Sequence, residues 1–107
     1  MSELVEDLGR FSEPAVLVLA SLADGPKHGY AITRDVSVTC GVRLGPGTLY
    51  GALARLERRG LIEALASEDR RRPYRLTATG ATALERHLKA LENVARVGLR
   101  RLAEVGR

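Results

Sequence analysis

The run GPGTLYGALARLERRGLI, residues 45–62, constrains this chain more than any other stretch. It opens with Pro46, whose locked φ suits the first turn of a helix, and stops at Gly60, just past the last residue in helical phase. One helix over 46–59 is therefore bracketed at both ends. Inside it Leu49, Ala52, Leu53 and Leu56 recur at three- and four-residue spacing, which places them on one inward stripe. The opposite face holds Gly47, Gly51, Arg55 and Arg58, flanked by Thr48 and Tyr50. Such a face, small and polar at its start and basic further on, suits a helix lying against phosphates and base edges in a DNA groove. Outward arginines are also what any solvated helix carries, so the flanking sequence has to decide.

Beyond Gly60 the period changes. LIEALA over 61–66 and PYRLT over 73–77 read as two short strands, with Ile62 and Leu65, then Tyr74 and Leu76, as apolar positions. Between them SEDRRR, residues 67–72, is a charged loop. A hairpin tipped with Arg70, Arg71 and Arg72 directly after a groove-binding helix has the arrangement of a wing, placed to meet phosphates or the minor groove.

Ahead of the central helix, Ser12 offers an N-cap, Glu13 an acid in the first turn and Pro14 a tolerated early proline. The apolar run AVLVLA over 15–20 then reads as a helix packed on every side. Asp24, Gly25 and Pro26 form a turn, and a second helix runs over 30–39 with Ile32 and Val36 inward and Lys27, Arg34 and Asp35 outward. Gly41 ends it, and residues 42–45 bridge to the helix over 46–59; these two helices, joined by a short glycine-containing turn and the second presenting an arginine-bearing face, make a helix-turn-helix. Residues 1–10 read as a short amphipathic helix, with Leu4, Val5 and Leu8 opposite acids.

From Thr79 onward the pattern is helical to about Val105. Leu84, Leu88, Leu91, Ala95, Gly98, Leu102 and Val105 follow spacings of 4, 3, 4, 3, 4 and 3, a heptad seam for another helix. About 27 residues at about 1.5 Å each give a rod of about 40 Å, longer than a small domain can cover, so a second copy of the chain is the expected partner. The expected organisation is a DNA-binding unit over residues 1–78 and a dimerisation helix over 79–107. An apolar gap near Ala95 and Gly98 could admit a small-molecule effector, although small residues at such a seam more commonly serve tight packing.

Charge supports a polyanionic partner. The 107 residues hold 17 basic and 13 acidic side chains, net +4, but unevenly. Residues 1–13 set Arg10 against Glu3, Glu6, Asp7 and Glu13, whereas residues 43–75 set eight arginines against Glu57, Glu63, Glu68 and Asp69. Aromatic residues make up 4% and there is no Trp, which argues against a stacking site for flat ligands or single strands. Cys40 is the only cysteine, so no intrachain disulfide forms; it is expected as a small buried residue in a cytoplasmic protein. Neither a signal peptide nor a membrane-spanning run is legible.

Assembled in this order, the sequence resembles the PadR family of bacterial transcriptional regulators. HGYAI at 28–32, GPGTLYGALARLERRGLIE at 45–63 and RRRPYRLTATG at 70–80 carry the resemblance. It implies a mainly α fold with a small β-hairpin, a winged helix-turn-helix with a long C-terminal dimerisation helix. It further implies a homodimer on a palindromic operator in double-stranded DNA, usually as a repressor. The family's DNA contacts would fall on Tyr30, Thr48, Tyr50, Arg71 and Arg72. Charge and helical phase add Lys27, Arg55, Arg58 and Arg70. Gly51 departs from the family pattern, where a larger residue is common.

Two other function classes compete. Catalysis needs converging polar groups, and only His28 and His87 are available, without a motif around either. Cys40 and these histidines also lack the spacing of a metal site, so no cofactor or metal is expected. A winged helix that binds protein without operator specificity is the alternative, separated from DNA binding by whether positive charge sits on wing and recognition helix.

Overall fold

The computed structural model describes residues 13–68 and 71–106. The helix expected over residues 1–10, and the cap at Ser12, lie outside the described residues. Three helices, α1 (Pro14–Leu22), α2 (Gly29–Cys40) and α3 (Pro46–Arg58), precede a hairpin of β1 (Ile62–Ala64) and β2 (Tyr74–Leu76), and α4 (Ala78–Val105) follows. This is the winged helix-turn-helix that the sequence implies.

Helix α1 packs against α2, α3, α4 and β2, with Val18, Leu19 and Leu22 in the core. Pro14 occupies its first turn, and Glu13, expected inside that turn, stands outside it as the N-cap with extended backbone. Ala20 is exposed, so α1 is not enclosed on every side. Ser21 is buried and donates its Oγ to Asp35 Oδ2 at 2.6 Å, tying α1 to α2. Asp35 had been expected to face outward; the hydroxyl across the helix pair draws it in.

Helix α2 presents Ile32 and Val36 to the core and ends at Gly41 in the left-handed region, φ 69°. Cys40 continues the Ile32–Val36 stripe by a further turn, yet it is exposed, not buried, because the core does not extend to the end of the helix. Helix α3 buries the expected stripe of Leu49, Ala52, Leu53 and Leu56 completely, none above 3% exposed.

The hairpin is shorter than its sequence pattern: Ile62 opposes Leu76, Glu63 opposes Arg75 and Ala64 opposes Tyr74. The Glu63 carboxylate and Arg75 guanidinium pair across the two strands. A rung from outside the hairpin completes it. Lys27 donates its N–H to the Tyr74 carbonyl at 3.1 Å and accepts from the Tyr74 N–H at 2.8 Å, so the connection between α1 and α2 is laid along the wing.

Thr77 joins the end of α3 to the start of α4. Its Oγ1 accepts from the Gly80 N–H at 3.0 Å as the N-cap of α4 and donates to the Gly60 carbonyl at 2.7 Å. Gly60 has φ 72°, a turn that a side chain would strain. Only the first turns of α4 are packed: Gly80 and Leu84 are buried, so Leu84, expected in the intermolecular seam, is already occupied by the chain's own core. Beyond it Leu88, Leu91, Leu102 and Val105 are exposed, from 41% rising to 85%. The helix projects from the domain and gives the molecule its 60 Å long axis against 29 Å and 21 Å across.

Candidate nucleic-acid interface

The outward face of α3 is built from its start. Gly45 caps it in extended conformation without a side-chain bond, Pro46 takes the first turn, and Gly47, Thr48, Tyr50 and Gly51 are exposed behind it. A methyl group at Gly47 or Gly51 would touch nothing within 4 Å, so this end of the helix is flat and open. In a helix interior glycine costs about 1 kcal/mol against alanine. No intrachain contact at Gly51 offsets that cost.

Tyr50 leans from α3 toward the start of α2. Its hydroxyl would lie 3.1 Å from a Cβ placed on Gly29, so the absence of a side chain there is what lets the ring settle against α2. With Tyr50 as one wall, a hollow of about 410 Å³ opens between three elements. His28, Gly29 and Tyr30 line it from α2 and its cap, and Arg71, Arg72 and Tyr74 line it from the wing. Tyr30 and Tyr50 are 70% and 58% exposed, a degree of exposure unusual for aromatic rings that pack only within their own chain. None of the ion pairs among the described residues engages Arg71 or Arg72.

Tyr74 is partly buried at the base of this hollow. Burial pushes its phenol above the ordinary tyrosine value, the Glu57 carboxylate and Tyr50 push the same way, and Arg72 opposes them. The phenol is thus held neutral. His28 Nδ1 is shut away from solvent and lacks a hydrogen-bond partner in the structure. What the arrangement offers chemically is two guanidiniums, three phenol hydroxyls and the amide end of α2 around one concavity, a set of donors suited to a phosphate.

Of the residues expected at the interface, the fold gathers Tyr30, Tyr50, Arg71 and Arg72 here. Thr48 is exposed on the first turn of the same helix and Arg58 on the last. Arg55 is exposed on the same face, seven residues after Thr48, and also lines a separate groove with Arg59 against Glu13, Pro14 and Ala15. Lys27 is a correction. Its ammonium binds the Asp24 carboxylate and the Ser21 carbonyl, and its side chain is only 18% exposed. Expected to face outward, it instead fastens the α1–α2 turn beside the wing. Arg70 lies outside the described residues.

Sequence reasoning passed over Tyr74, Gly29 and the contribution of His28 to the hollow. The HGY run was a usable signal for the last two; the Tyr74 position depends on a strand pairing 47 residues away in sequence, with Lys27.

Known proteins match both the sequence and the fold. Residues 18–86 match the model of the transcriptional regulator PadR-like family. A transcriptional regulator of Mycobacterium tuberculosis is 44% identical over 85 residues, which cover 74% of this chain and 76% of that protein. A 37.1 kDa protein of a Streptomyces fradiae transposon is 49% identical over 82 residues, or 77% of this chain, but the chain spans only 24% of its length. A PadR family transcription regulator from Clostridium difficile superposes with a TM-score of 0.77 at 27% identity, covering 85% of this chain and 99% of that one. One from Eggerthella lenta superposes at 0.75 and 31% identity, covering 96% and 91%. The chain belongs to the PadR-like family of transcriptional regulators, whose members act by binding DNA.

Proposed function

We propose that this regulator works as a homodimer that reads a palindromic operator in double-stranded DNA and represses transcription from it. The observation that carries the reading is the hollow that brings Tyr30, Tyr50, Arg71 and Arg72 together from α2, α3 and the wing. Residues 1–78 form the DNA-binding unit and residues 79–107 the dimerisation helix, although the first turns of α4 also serve the core of the unit. The exposed seam of Leu88, Leu91, Ala95, Gly98, Leu102 and Val105 is covered by the same seam of a second copy.

Geometry then orders the mechanism. Two α3 helices enter successive major grooves about 34 Å apart, so half-sites recur about once per turn of DNA. Gly47 and Gly51 leave α3 flat enough for close approach, Thr48 and Tyr50 set its register, and Arg71 and Arg72 neutralise phosphates beside the groove. Arg58 extends the positive surface along α3. A repressor of this design acts where the chromosome lies, in the cytoplasm expected from the sequence.

The test is a salt series of binding to the duplex upstream of the protein's own coding region, with a scrambled duplex as control. Preferential binding, with log affinity falling steeply against log salt, supports the reading. In an R71A/R72A variant the slope should flatten and both duplexes should bind more weakly by the same factor. An unchanged slope would refute the wing's role. Equal, weak binding of the wild type to both duplexes would favour a winged helix that binds protein.

A further inference from the structure

A second concavity, of about 340 Å³, lies on the outer side of α2 where the chain crosses toward α3. Arg34 and Arg43 stand at it, one on the helix and one in the connection. Both are exposed, and none of the ion pairs among the described residues involves either. Asp35, next to Arg34 in sequence, points elsewhere on α2: its carboxylate accepts from the Ser21 hydroxyl of α1 at 2.6 Å. Two unneutralised guanidiniums therefore share one groove, with the Thr33 and Ser37 hydroxyls along its wall.

The floor of the groove is apolar. Leu44 is buried beneath it, and Val38 stands 77% exposed at its edge, among the most exposed apolar side chains of the domain. Cations above an apolar floor match a nucleic-acid backbone, in which anionic phosphates alternate with deoxyribose rings. The groove is also continuous with the candidate interface: Tyr30 lines both concavities and forms the ridge between them. Arg71 and Arg72 lie on one side of that ridge, Arg34 and Arg43 on the other.

We propose that this groove is a second DNA-backbone cradle, in which Arg34 and Arg43 each hold one phosphate of the strand that passes Tyr30. The proposal rests on the DNA-binding reading and extends its footprint from the wing across α2 to the connection before α3. Like any phosphate contact it fixes orientation without reading sequence.

Because it is independent of sequence, it can be tested on a duplex of arbitrary sequence, about 30 base pairs long, with no knowledge of the operator. An R34A/R43A variant should flatten the slope of log affinity against log salt by about 2 for each bound protomer, at about 0.9 per lost phosphate contact. An R34K/R43K variant, which keeps the charge, should retain most of the slope. Both arginines are exposed, so the melting temperature should stay at the wild-type value; if the double variant melts early, R43A alone carries the test with a change of about 1. A wild-type slope in R34A/R43A, alongside a flattened one in R71A/R72A, would overturn the cradle while leaving the wing intact. Wild-type protein that binds no duplex at any salt would overturn the DNA-binding reading and the cradle with it.

Discussion

Gly80, in the first turn of α4, lies so close to the Leu61 carbonyl that a Cβ on it would stand 2.0 Å from the oxygen and 3.0 Å from Leu76 Cδ1. This close contact seats the long helix on the junction of α3 and the wing. In G80A the helix must shift, because the obstructing atom is backbone. We expect a loss of about 1–3 kcal/mol in urea unfolding. Wild-type stability in G80A would mean that α4 is seated less tightly on Leu61.

Ser21 and Asp35 make the polar tie between α1 and α2. S21A leaves the partly buried carboxylate without that donor and should cost about 1–3 kcal/mol. The double variant S21A/D35N should recover part of it, because the neutral amide carries no charge to be left unpaired. Urea midpoints of the wild type and the two variants decide the matter, and equal midpoints for wild type and S21A would show that the hydroxyl contributes nothing.

Tyr74 links stability to alkaline pH. Burial, Glu57 and Tyr50 raise its phenol above the ordinary tyrosine value of 10.0, so the folded state holds the proton that the unfolded chain releases at about that pH. The associated stability is complete below pH 10 and is lost as pH rises through the higher folded value. Urea midpoints measured from pH 9 to 11 should fall more steeply for the wild type than for Y74F. Parallel curves would remove Tyr74 as the cause.

Gly51 separates stability from binding. With open space where its side chain would be, G51A should stabilise the free protein by up to about 1 kcal/mol. If α3 lies flat against DNA, the same methyl group should weaken binding, and a leucine there should weaken it more. Melting temperature and affinity moving in opposite directions is the expected signature.

Leu91 is half exposed in the single chain, outside the core. L91E should therefore leave the thermal unfolding of the domain intact while converting the proposed dimer to a monomer in sedimentation, with loss of DNA binding. A dimeric, DNA-binding L91E would place the seam elsewhere. Gly98, which faces open space in the single chain, gives a finer test. G98A favours the helix by about 1 kcal/mol yet should weaken a seam in which backbones approach closely.

The elements of this fold were legible wherever a local signal was strong. Pro46 and Gly60 bracketed α3, the spacing of Leu49, Ala52, Leu53 and Leu56 oriented it, and the helical period from Thr79 to Val105 marked the extent of α4, because each of these depends on residues within a turn or two of one another. Charge and motif together also pointed to the wing arginines and to Tyr30 and Tyr50. The order of charges along the chain, not composition, determined the local excess of arginine over acid that a polyanion requires.

What lay beyond the sequence was every relationship between residues far apart in the chain. Helical phase placed Lys27 and Asp35 outside, but Asp24 and the Ser21 carbonyl capture the first, and the Ser21 hydroxyl captures the second. Phase put Cys40 in line with Ile32 and Val36, and only the extent of the core left it exposed. Heptad spacing counted Leu84 into the seam, while tertiary packing assigned it to the domain. The strand pairing of Lys27 with Tyr74, which sets the wing beside α2 and so forms the hollow, has no local signature at all. Periodicity reports which face of an element is apolar; which neighbour covers that face is decided by long-range contacts that exist only once the chain has folded.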